Sequence, residues 1–171
     1  MPFVSSNFMA NNFMLSGDNV GSGKFWTLLT YSVSHYNIMH IFSNMFGFYF
    51  FGSAIEKMYG PKVLLQLYIA GALMGALFQL SRSSKQYGGS HVGCLGASSS
   101  LSAVLSFFIL NSPNEVIYLL FFPMPAWAFG TCFFAYSLFM MNSNSGTSHA
   151  AHFGGFMGGV AMHFARRGKL F

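Results

Sequence analysis

The sequence predicts an all-α fold, a polytopic transmembrane helical bundle of about five spans, and three observations predict it. Of the 171 residues, 53% are hydrophobic and 6% charged, where a soluble domain carries roughly 25% charged residues. Long apolar runs alternate with short polar punctuation, and a helix crossing about 30 Å of hydrocarbon needs about 20 mostly uncharged residues. The only acidic residues, Asp18, Glu56 and Glu115, bracket those runs. One compact helical domain follows: a polar N-terminal loop segment over 1–24, a membrane domain over 25–165 and a short basic tail over 166–171.

The elements read as follows. Residues 1–23 are rich in Asn, Ser and Gly and hold neither an apolar core nor a basic leader, so they form a loop and not a signal or a span. The first span covers about 38–55 and ends at EKMYGPK, where charge, Gly60 and Pro61 make a tight reversal. The second covers about 63–80, and the polar, glycine-rich SRSSKQYGGSHVGCLG connects it to a short third span over about 97–110. Pro123 and Pro125 then separate an approach segment from a fourth span, about 126–141, because neither continues a helix. The last span, about 149–165, ends at RRGK. Trp26 and Trp127 read as anchors at the membrane interface, and FGFYFF as lipid-facing or core surface.

Charge and cysteine content narrow the function classes. The net charge is +5, but the basic residues are scattered at segment ends, as in loops facing anionic lipid. A lipid bilayer is therefore the expected partner, and nucleic acid is not. Cys94 beside a loop and Cys132 within an apolar run imply no disulfide framework.

Counting crossings gathers the polar groups. If the chain alternates sides, the first, third and fifth spans start at one surface, with His40 and Asn44, Ser98, and His152 at similar depth. The other surface receives Lys57, Lys62, Arg166, Arg167 and Lys169, against Lys24, Arg82 and Lys85 on the cluster side, so the cluster faces the non-cytoplasmic or equivalent side. Ser98, Ser102 and Ser106 form one small-residue stripe. In HFGGFMGGV, Gly154 pairs with Gly158 and Gly155 with Gly159, and such stripes let membrane helices approach closely. His152 shares a face with Gly155 and Gly159, so Ser98 and His152 are expected to meet.

An intramembrane polar cluster is costly unless it is paired or wet, and it marks function by default. Serine is a weak nucleophile without a neighbouring base. No lysine lies inside a span and no carboxylate lies near the cluster, which leaves a Ser98–His152 dyad with the imidazole as base and then acid. His40 and Asn44, four residues apart on one helix face, and the N–H groups at the start of the third helix can donate to an oxyanion. Ser99 is rotated about 100° from Ser98 and Ser100 about 200°, so both read as packing residues.

Other chemistries fit less well. His149 and His152 are three apart and could ligate metal, but no HExxH and no nearby carboxylate accompany them. Asp18 is the only aspartate, and it sits in the polar start, against an aspartyl mechanism. Cys94 and His91 lie in the loop leading to Ser98, with Cys94 an alternative nucleophile. His163 reads as structural, and His35 stays open between a structural and a functional role. A channel or transporter needs a polar stripe along a whole helix, and none is visible.

Three ordered motifs carry a family resemblance. HYNIMHIFSN is similar to the H-x4-H-x3-N element of the rhomboid intramembrane serine proteases, GASS stands where their G-x-S-G nucleophile motif stands, and HAAHFGGFMGG is similar to their A-H-x-G-G signature. FFGSAIEKMYG also resembles the end of the family's second span, and the likeness covers about 25–165. It implies Ser98 as nucleophile, His152 as base, and His40 and Asn44 as oxyanion-stabilising residues. The FWTLLTYSVSH and YFFG regions most resemble organellar eukaryotic members, which implies a mitochondrial inner membrane, with another organellar membrane as the alternative. Two departures stand out: Ser99 replaces the glycine after the nucleophile, and nothing supplies the family's first span ahead of FWTLL.

The resulting expectation is a serine endopeptidase that cleaves single-pass transmembrane substrates in or near their membrane segments, without metal or organic cofactor. The alternative is a catalytically inactive rhomboid-like protein that binds transmembrane segments.

Overall fold

The computed structural model describes residues 6–86, 93–119, 121–142 and 148–168, and His91 and Lys169 lie outside them. The polar start, expected as a loop, holds two short helices, α1 (Ser6–Phe13) and α2 (Gly17–Gly21). Side-chain capping explains the difference. The Ser16 hydroxyl accepts the Asn19 N–H at 3.1 Å, satisfying a first-turn donor of α2. The Asn19 amide then donates to the Ala10 and Met14 carbonyls, both at 2.8 Å. Residues that read as a loop by composition are here a local clamp.

A short α3 (Thr27–Thr30) and a 3₁₀ turn (Tyr31–Val33) follow, with Tyr31 fully buried against Leu15, Ala72, Ala76 and Ala151. Asn37 caps α4 (Ile38–Gly47) by accepting the His40 N–H at 2.8 Å. A π-helical turn (Phe48–Gly52) joins it to α5 (Ser53–Tyr59), making one 22-residue helix, Ile38–Tyr59. The chain reverses at Gly60, whose φ of +84° suits glycine, into α6 (Pro61–Gln86) with proline at its first position. Ile38–Tyr59 and Pro61–Arg82 are each long and apolar enough to cross a membrane.

Next come α7 (Ser98–Asn111), β1 (Val116–Leu119), β2 (Phe122–Pro125), α8 (Ala126–Phe139) and α9 (His149–Arg167). The approach segment before Ala126 is thus an antiparallel hairpin, with Val116 opposite Pro125 and Leu119 opposite Phe122. The Val-Ile-Tyr run favours extended backbone, and a two-stranded sheet has only edge strands, which tolerate proline. The fold is mostly helical with this one small sheet among the described residues.

α9 packs between α6 and α7, and its glycines decide how closely. A Cβ on Gly155 would run into the Ser99 carbonyl oxygen, and one on Gly159 into the Ala103 carbonyl and the Ser106 hydroxyl. A Cβ on Gly154 would meet the Met74 carbonyl oxygen, and on Gly158 the Ala70 carbonyl oxygen. One glycine pair therefore faces α7 and the other faces α6, backbone against backbone. Ser106 adds a hydrogen bond to the Phe156 carbonyl at 2.8 Å. Below this contact Ile55, Val63, Leu67, Val104 and Phe107 close the space between α5, α6 and α7. His163 is buried there with its ring edge-on to Phe107, a structural setting.

Candidate active site

The loop entering α7 is tied down before it reaches Ser98. Leu15 and Cys94 exchange two backbone hydrogen bonds, at 2.9 and 2.8 Å, and the Gly96 N–H donates to the Tyr31 carbonyl at 2.9 Å. Gly96 has a φ of +126°, and a Cβ there would lie 2.5 Å from His40 Cε1 and 2.7 Å from Nε2. Glycine at 96 thus lets the His40 ring lie against the loop backbone. His35, left open by the sequence, contributes as well: its Nε2 accepts the Ala97 N–H at 3.5 Å, and its ring meets His40 edge-on at 5.1 Å. Burial, and then His40, holds the His35 imidazole below its ordinary pKa, so the ring stays neutral and able to accept.

Ser98 is the first residue of α7 and His152 lies one turn into α9. His152 Nε2 stands 2.7 Å from Ser98 Oγ. With Nδ1 protonated, Nε2 accepts the serine proton. The face of the imidazole stacks on Phe133 of α8, centroids 6.3 Å apart, and His149 meets its edge at 5.9 Å. Among the described residues no side chain caps α7, so the first N–H groups of the helix can serve another acceptor.

A cavity of about 660 Å³ opens on this pair and is lined by His40, Asn44, Ser98, Leu101 and His152 among others. Buried Asn44 donates to the His40 carbonyl at 2.8 Å, which leaves its second amide N–H for a ligand. Four residues singled out by sequence spacing therefore share one cavity.

The neighbouring serines turn elsewhere. Ser100 donates to the Tyr68 carbonyl at 2.8 Å, and Ser99 meets the Tyr31 hydroxyl at 2.7 Å. Cys94 is buried, and burial pushes its thiol up to about 11, far from a reactive thiolate. Sequence reasoning missed the roles of Phe133 and of the Leu15–Cys94 backbone pair, and no short-range period signals either one. His35 and His40 share no helix face, because extended Asn37 interrupts the chain between them.

The rhomboid domain family matches residues 22–169. The chain is 39% identical over 97% of its length to RHOMBOID-like protein 12, mitochondrial, of Arabidopsis thaliana, and spans 54% of that protein. It is 30% identical over 74% of its length to Rhomboid protein 1, mitochondrial, of Saccharomyces cerevisiae, spanning 38% of it. It is also 35% identical over 46% of its length to Rhomboid protease GluP of Bacillus subtilis, spanning 16%. The chain thus covers about half the length, or less, of these relatives. With its three motifs on three helices around one cavity, this chain belongs to the rhomboid family.

Proposed function

We propose that the chain is the membrane domain of an intramembrane serine endopeptidase that hydrolyses peptide bonds in or near the transmembrane segments of single-pass proteins. The observation that carries the reading is the 2.7 Å approach of Ser98 Oγ to His152 Nε2 at a cavity shared with His40 and Asn44. The name of the Bacillus relative, a rhomboid protease, supports the same reaction class. The five helices Ile38–Tyr59, α6, α7, α8 and α9 are the proposed crossings. The two mitochondrial relatives favour a mitochondrial location, and the inner membrane is the proposed site within it.

His152 takes the Ser98 proton as the oxygen attacks the scissile carbonyl carbon. The His40 ring, the Asn44 amide and the leading N–H groups of α7 donate to the oxyanion that forms. Collapse breaks the C–N bond, and His152 returns the proton to the leaving amine. A water from the cavity, deprotonated by His152, then attacks the acyl-enzyme, and Ser98 is regenerated as the second fragment leaves with its new carboxyl group. The sequence calls for no metal or organic cofactor. Because hydrocarbon holds no water, the cavity must open to an aqueous surface, and the substrate helix must unwind to present its carbonyl. Small, helix-weakening residues at the cut are the expected preference.

The test is cleavage of a single-pass reporter in liposomes by wild type, Ser98→Ala and His152→Ala. Wild-type cleavage that vanishes in both variants is the expected outcome. Cleavage retained by Ser98→Ala overturns the proposal, and a wild type that binds the reporter without cutting it favours the inactive binder.

A further inference from the structure

Ser99, next to the proposed nucleophile, is 1% exposed and absent from the cavity wall. Its Oγ lies 2.7 Å from the Tyr31 hydroxyl oxygen, and the Tyr31 hydroxyl donates to the Ala72 carbonyl at 2.8 Å. A phenol has one proton, and here Ala72 takes it, so Ser99 is the donor of the first bond. The chain of bonds therefore runs from Ser99 through Tyr31 to the backbone of α6.

The surrounding space is cut to fit this side chain. A Cβ on Gly75 of α6 would lie 2.5 Å from Ser99 Cβ and 2.9 Å from the Tyr31 hydroxyl oxygen. A Cβ on Gly71 would lie 2.7 Å from Ser100 Cα and 2.9 Å from the Ser99 carbonyl oxygen, while Gly155 of α9 abuts that same oxygen. Among the described residues the first turn of α7 has no side-chain cap, so these contacts with α6, α9 and Tyr31 set its rotation about the helix axis.

Resting on the protease reading above, we infer that the Ser99–Tyr31–Ala72 hydrogen-bond chain is a positioning device that aims Ser98 Oγ at His152 Nε2. Adjacent residues on a helix turn together, and a rotation of about 15° moves a side-chain oxygen by roughly 1 Å. A misplacement of about 1 Å costs a reaction on the order of 100-fold. Tyr31 and Ser99 are positioning residues, since neither touches the reacting atoms.

The experiment uses Tyr31→Phe, Ser99→Ala and the double variant of the full chain in liposomes. It measures the rate at which a fluorophosphonate probe labels Ser98, together with kcat and KM on a single-pass reporter. Each single substitution is expected to lower kcat and the labelling rate about 10-fold, with KM within about twofold of wild type. The double variant is expected to lose no more than either single one, because both break the same chain. Unchanged labelling in both single variants, multiplicative losses in the double variant, or losses confined to KM overturn the inference. Should Tyr31→Phe fail to fold, Ser99→Ala, which removes one hydroxyl, carries the labelling criterion alone. A wild type that never labels at Ser98 overturns the protease reading and the positioning role with it. Normal wild-type labelling beside equally fast variants overturns the positioning role alone.

Discussion

α9 and α4 both deliver residues to one cavity, and they are held in opposite ways. α9 buries Gly154, Gly155, Gly158 and Gly159 between α6 and α7, where most of their nearest neighbours are backbone atoms. α4 turns Phe42, Phe46 and Met45 outward, and only 17% of the most apolar stretch of Ile38–Tyr59 is buried. Its approach to α7 rests on Gly47 against the side chain of Leu101. Backbone contacts have no rotamers to relax, whereas a leucine side chain can rotate. The Ser98–His152 half of the site is therefore set rigidly, and the His40–Asn44 half rides on a helix with room to adjust.

The substitutions that break or sharpen this contrast rank by free energy. His152→Ala removes the proposed base from the rigid half. Turnover of the reporter should fall by about 10⁴-fold or more, as for catalytic groups that act as a unit, while thermal unfolding in detergent stays at the wild-type midpoint. A large stability loss would show that His152 mainly holds the helices together. Gly155→Val, on the same helix, tests the packing itself. Forcing a branched side chain onto the Ser99 carbonyl should cost about 3 kcal/mol or more, read as a lowered unfolding midpoint, and a wild-type midpoint would refute the backbone contact. Asn44→Ala probes the adjustable half. Losing one oxyanion donor should lower kcat about 10²-fold, with KM nearly constant, and a change confined to KM would assign Asn44 to substrate binding. Phe42→Leu, at a side chain 60% exposed on the outer face of α4, should change stability by no more than about 0.5 kcal/mol. A larger change would mean that this face packs against protein.

Much of this architecture is legible in the sequence, for reasons the contrast makes plain. Hydropathy located the long helices, and the start of α9 at His149 matches the expected one. Fourfold spacing of small residues anticipated the meeting of Ser98 with His152, because helix periodicity turns spacing into direction. The elements that escaped depend on partners far along the chain. Leu15 pairs with Cys94, Tyr31 with Ser99, and Phe133 stacks on His152. Polarity suggested a loop over the first residues because composition carries no record of the Ser16 and Asn19 caps. The hairpin from Val116 to Pro125 was hidden by its apolar residues, which suit a strand as well as the approach to a helix. Ser99 shows both sides: its direction away from the cavity followed from helix geometry, and its hydroxyl partner did not.

The most direct test of the account is to react the wild-type chain in liposomes with a fluorophosphonate and locate the adduct by peptide mass spectrometry. The account predicts a single modified residue, Ser98, and no modification once His152 is replaced by alanine. An adduct on Ser99 or Cys94, or labelling that persists without His152, would contradict it.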